Sequence, residues 1–102
     1  MNKQEILNSL TELEKNVIIG MFEEGFATDN PEDNFMTYGP IYGKRERGAF
    51  ASLIKKGIVQ MDDWGEDQPI FLTNGFTKRE VLAVTKELGS EWIKRFAEEI
   101  GA

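Results

Sequence analysis

The sequence predicts a mainly α protein with a small β-hairpin, an α+β fold, and three observations predict it. Two segments open with a capping box, Thr11 with Glu14 and Thr77 with Glu80, and continue with apolar residues at helical spacing. A basic amphipathic stretch, Lys44 to Lys56, is stopped by Gly57. It runs directly into two strand-like segments, Ile58–Met61 and Pro69–Thr73, joined by turn-forming residues. The length of 102 residues implies one domain, with a core over about residues 10–88 and a terminal helix over 90–100.

Taken in order, residues 3–10 carry Ile6, Leu7 and Leu10 and read as a short helix. The helix from Thr11 places Leu13, Val17, Ile18, Met21 and Phe22 on a core face and ends at Gly25. Asp29 to Asn34, with Pro31, is turn chemistry and reads as a solvated loop. Phe35–Tyr38 reads as a short strand before the Gly39-Pro40 break, with Tyr38 and Tyr42 packing around the bend. The basic helix puts Phe50, Leu53, Ile54 and Gly57 on one face. The loop from Asp62 to Gln68 is longer than the usual two to five residues of a hairpin. Pro69 marks a strand start or an edge. Of the two closing helices, one carries Val81, Leu82, Val84 and Leu88 up to Gly89. The other, capped by Ser90, carries a stripe of Trp92, Ile93, Phe96, Ala97 and Ile100.

Composition narrows the function classes. An apolar fraction of 40% with 29% charged residues fits a folded chain. No apolar run approaches the roughly 20 residues that span a bilayer, and Met1 to Glu5 lacks a signal-peptide pattern. A cytoplasmic setting without a membrane partner is therefore expected. Cysteine and histidine are absent, which removes disulfides, thiolate metal sites and the commonest general base at neutral pH. There is no phosphate-binding glycine loop and no nucleophile–base set, so no enzyme activity, cofactor or metal is expected. The acidic run Asp62-Asp63-Trp64-Gly65-Glu66-Asp67 lacks the spacing and distal Glu of a calcium loop and reads as a solvated turn.

Charge segregation is the main functional signal. Residues 44–56 hold five Lys/Arg and one Glu, a net of +4 in a chain of −6, which leaves −10 for the remainder. A basic helix on an acidic protein points to an anionic partner, most often nucleic acid. Lys55 and Lys56 also suit the negative end of the helix dipole, whereas Lys44, Arg45 and Arg47 sit at its unfavourable first turn.

The phrase Leu53-Ile54-Lys55-Lys56-Gly57-Ile58-Val59, followed by the return strand Ile70-Phe71-Leu72-Thr73, resembles the winged-helix superfamily. Leu10 to Lys15 is similar to the start of that family's first helix. The resemblance covers residues 10–75, most closely 48–73, and implies a winged-helix-like domain with two added C-terminal helices. It implies that the helix from Lys44 to Lys56 enters the DNA major groove, with Lys44, Arg45, Arg47, Ser52, Lys55 and Lys56 as nucleic-acid-binding residues, as in a transcriptional regulator. It also implies that the terminal helices can pair in a homodimer. The chain departs from the pattern twice. The family's second helix belongs between residues 28 and 42, where Pro31, Gly39 and Pro40 interrupt. The wing tip, usually basic, carries Asp62, Asp63, Glu66 and Asp67 around Trp64. An alternative follows: an acidic protein–protein interaction module or small inhibitor, of phage type, that uses Trp64 and those carboxylates on a protein partner. Trp64 either folds back onto the domain or anchors such a partner.

Overall fold

The computed structural model describes residues 2–24, 32–38, 44–62, 68–73 and 75–102, apart from the side chains of Glu24, Phe35, Tyr38, Lys44 and Arg45. The described elements are α1 (Lys3–Asn8), α2 (Glu12–Glu24), β1 (Phe35–Tyr38), α3 (Lys44–Lys55), β2 (Val59–Met61), β3 (Pro69–Leu72), α4 (Lys78–Thr85) and α5 (Glu91–Glu99). A 3₁₀ turn, Lys86–Leu88, joins the last two helices. The fold is thus α+β, mostly helical with one small antiparallel sheet.

α1 has only six residues, too few to persist alone. Asn2 caps it by accepting from the Glu5 amide at 2.9 Å. Leu7 anchors it in the core. The Lys3 ammonium reaches the Glu80 carboxylate and, at 2.9 Å, the Gly75 carbonyl. α2 starts on the expected capping box: the Glu14 amide donates to Thr11 Oγ1 at 3.1 Å, and the Thr11 amide donates to Glu14 Oε1 at 2.8 Å. Val17, Ile18, Ile19, Met21 and Phe22 are all buried. Ile19 was not on the expected face. It is buried because α2 runs through the middle of the molecule, against α3, α4 and β1, and a helix covered on several sides is apolar on several sides.

The expected hairpin is part of a three-stranded sheet. Its order is β1-β3-β2, antiparallel throughout. β2 pairs Val59 with Leu72, Gln60 with Phe71 and Met61 with Ile70. On the other side Thr37 pairs with Ile70 and Tyr38 with Pro69, with a register shift between Phe35 and Thr37. Asn34 extends this ladder, its carbonyl accepting from the Leu72 amide at 2.7 Å. β3 is therefore central, yet it begins with proline. A first position tolerates the missing N–H that a mid-strand position would not. Ile70 and Leu72 point to the core with Met36 and Val59, so the inner face of the sheet closes over α2 and α3.

Gly57 turns the chain from α3 into β2. Its φ is +80°, its amide donates to the Ile54 carbonyl at 3.0 Å, and the Ile58 amide donates to the Leu53 carbonyl at 3.1 Å. These two bonds form the left-handed helix cap, sealed by the buried pair Leu53 and Ile58. Gly57→Ala is expected to lower stability by about 1–2 kcal/mol, because an alanine Cβ is strained in that conformation. Urea unfolding would measure it, and an unchanged midpoint would contradict the assigned cap.

The C-terminal helices depart in detail from the periodicity. α4 opens with the expected Thr77–Glu80 box but ends at Thr85, whose hydroxyl donates to the Val81 carbonyl at 2.9 Å. The chain then tightens into the 3₁₀ turn, so Leu88 is 38% exposed instead of continuing the core stripe. Gly89 is needed for close approach: a Cβ there would lie 2.5 Å from Ile93 Cγ2. Ser90 occupies the N-cap of α5, but its hydroxyl makes no capping bond. Its amide donates instead to Glu23 of α2 at 3.1 Å. In α5 the core face is Ile93 and Ala97, with Phe96 and Ile100 half-buried beside it. Trp92 was expected in that stripe and is 42% exposed, because the buried side of the helix centres one residue further along.

Candidate nucleic-acid interface

α3 is bounded on its inner side by α2 and β2. Ala49, Phe50 and Leu53 are buried there. The next stripe, Ser52 and Lys56, one turn apart, also faces α2 and meets a single buried carboxylate. Glu14 is 2% exposed. Its Oε2 accepts from Ser52 Oγ at 2.7 Å, and its Oε1 accepts from Lys56 Nζ at 2.7 Å and from the Thr11 amide. Lys56 also donates to the Ser9 carbonyl at 3.1 Å, covering the C-terminal end of α1. The Glu14 carboxylate thus joins α2 to α3, and Lys56 ties the pair to the end of α1.

Burial pushes the Glu14 carboxyl up, as it must for a charge removed from water. The Lys56 ammonium, the Thr11 amide and the Ser52 hydroxyl outweigh it and hold the carboxyl below its ordinary value. A buried ion with its lone pairs satisfied is tolerable, and a buried ion without partners is not.

Pinning Ser52 and Lys56 inward sets the rotation of α3 about its axis. The opposite side, Arg47, Gly48, Ala51, Ile54 and Lys55, is exposed. Ile54, expected on the core face, is 41% exposed, and Ala49 takes the inner place instead. Rotating Ile54 inward would carry Ser52 and Lys56 away from Glu14. Arg47 and Lys55 bracket the outer face, eight residues apart, which is about 12 Å along a helix. Between them Gly48 and Ala51 leave the backbone nearly bare. A Cβ added at Gly48 would meet nothing within 4 Å, so packing within the described chain does not require the glycine. An interior helix glycine nevertheless costs roughly 1 kcal/mol relative to alanine.

The six basic-helix candidates are therefore not one patch. Arg47 and Lys55 share the outer face, while Ser52 and Lys56 hold Glu14 on the inner one. Lys44 and Arg45 lie in the first turn of α3, and their side chains are outside the described residues. Of the acidic tip, Asp62 is half-buried and its amide donates to the Pro69 carbonyl at 3.0 Å, continuing the β2–β3 ladder. Asp63, Trp64, Glu66 and Asp67 lie outside the described residues. So do residues 28–31 and 39–42 of the expected second-helix segment, and the described part of it carries β1. Lys78 is 1% exposed and engaged within the chain, a burial that no sequence signal announced.

Among the described residues no group of three or more His, Cys, Asp or Glu converges to hold a metal ion, and no helix is long and apolar enough to cross a membrane. No protein-family model matches this chain, and neither a curated protein nor a solved structure matches it.

Proposed function

We propose that this is a non-enzymatic nucleic-acid-binding protein of the winged-helix kind, which offers the outer face of α3 to duplex DNA and acts in transcriptional regulation. The observation that carries the reading is that face: two cations about 12 Å apart with a glycine and an alanine between them. The B-DNA major groove admits an α-helix and has backbone phosphates along both sides, which suits Arg47 and Lys55 on the two edges of this face. The small residues between them allow close approach of the helix. The element order adds support where the resemblance is closest, since α3 runs directly into the β2–β3 hairpin, while β1 occupies part of the segment where the family's second helix belongs. Five residues separate β1 from α3, fewer than two helical turns. In this reading Glu14 on α2 braces α3, the task that the family's second helix performs by resemblance.

A titration of the protein with duplex DNA at low salt tests the reading. Affinity is expected to fall steeply as salt rises, as counterion release requires. Absence of binding at about 50 mM salt would end it.

A second reading, a homodimer through the C-terminal helices, rests on Trp92 and Leu88, large apolar residues exposed on α5 and on the turn before it. Sedimentation is expected to show a concentration-dependent dimer that Trp92→Lys converts to monomer. A wild-type monomer at all concentrations would remove this reading and leave the first untouched.

A further inference from the structure

On the outer face of α3 one side chain is neither small nor charged. Ile54 is 41% exposed there, beside Ala51 and Lys55. Packing among the described residues does not explain it, since the inner face is already filled by Ala49, Phe50 and Leu53 and closed by the Glu14 network. Nor does helix propensity, since a β-branched residue gives up side-chain freedom in a helix. An apolar group on this face finds a counterpart only where its partner is also apolar. The base edges of the DNA major groove offer hydrogen-bond donors and acceptors at every pair and a single apolar group, the C5 methyl of thymine.

Resting on the proposed binding of duplex DNA by α3, we infer that Ile54 reads thymine by contact with its methyl group. Arg47 and Lys55 hold the helix on the phosphates of any sequence, and Ile54 supplies a preference among sequences. The small side chain of Ala51, one turn before Ile54, lets the helix come near enough to the base edges for a four-carbon side chain to reach them.

The test compares an alternating dA-dT duplex with the same duplex carrying deoxyuridine in place of thymidine, which deletes the methyl and leaves every donor and acceptor. Removing one buried methyl contact is expected to weaken wild-type binding about fourfold. Ile54→Ala is expected to show a preference about fourfold smaller than that of wild type. Since Ile54 is exposed, this variant keeps its core, and a matching unfolding midpoint checks that. Because uridine also alters the duplex itself, the ratio in Ile54→Ala isolates the part due to this side chain. Equal wild-type affinity for the two duplexes would overturn the inference and leave DNA binding standing. A thymine preference in Ile54→Ala as large as that of wild type would overturn it as well. No binding of either duplex at low salt would remove the underlying reading and this inference together.

Discussion

Lys56→Ala is expected to destabilise the protein by about 3 kcal/mol, while Lys55→Ala changes it by less than about 0.5 kcal/mol. The two residues are adjacent and chemically identical, and the difference comes from what each touches. Removing the Lys56 ammonium leaves the Glu14 carboxylate buried without its counter-ion, and unpairing a buried ion costs about 3–5 kcal/mol. The lower end applies because the Lys56 side chain is itself 27% exposed and its pairing is partly screened. Lys55 is exposed, and among the described residues no buried carboxylate is paired with it. Against a typical stability of about 5–15 kcal/mol the first loss is large. Urea unfolding at neutral pH measures both, and equal effects for the two lysines would refute the network.

The same network fixes the sign of an acid dependence. The Glu14 carboxyl titrates lower in the folded chain than in the unfolded one, so the unfolded state binds more protons between the two values. Its contribution is complete above the unfolded value of about 4.3 and is lost as pH falls through the folded value. Glu80 acts in the same direction. The Lys3 ammonium lowers it, burial opposes, and the Thr77 hydroxyl and amide lower it further. Its partner Lys3 is exposed, so its share is the smaller one. Glu14→Gln is expected to flatten most of the acid limb, and an unaltered limb would assign it to other groups.

The second large effect concerns binding. Arg47→Ala and Lys55→Ala are each expected to reduce the slope of log K against log salt by about one, and Lys56→Ala to leave it unchanged. The readout separates a phosphate contact from a general change of charge, because all three variants lose one positive charge. Gly48→Ala carries a sharper sign. It is expected to stabilise the free protein by up to about 1 kcal/mol, since an exposed helix position gains propensity. It is also expected to weaken DNA binding by roughly tenfold, equivalent to about 1.4 kcal/mol, because the added methyl holds the backbone off the groove. A stabilised variant with undiminished affinity would refute the close approach.

Local chemistry was legible in the sequence. Both capping boxes are present with their reciprocal bonds, Gly57 stops α3 in the left-handed conformation, and the two hairpin strands lie within a residue or so of where their alternation places them. These features depend on residues a few positions apart, and their chemistry is nearly independent of the rest of the chain. Ile54, Trp92 and Leu88 misled for the opposite reason. Each lies at the border of an apolar stripe, where periodicity leaves the direction of the core uncertain by about a residue.

The buried role of Glu14 lay beyond that reach. The sequence shows it as one half of a capping box, and Ser52 and Lys56 as members of a basic helix. Only packing brings these groups together across 38 and 42 residues. That meeting decides which way α3 faces, because a buried carboxylate must keep its donors. The amino-acid order therefore specified that a basic helix would run into a hairpin. The tertiary structure decided which of its cations remain on the surface, because the burial of one acid turns Lys56 inward and leaves Arg47 and Lys55 outside.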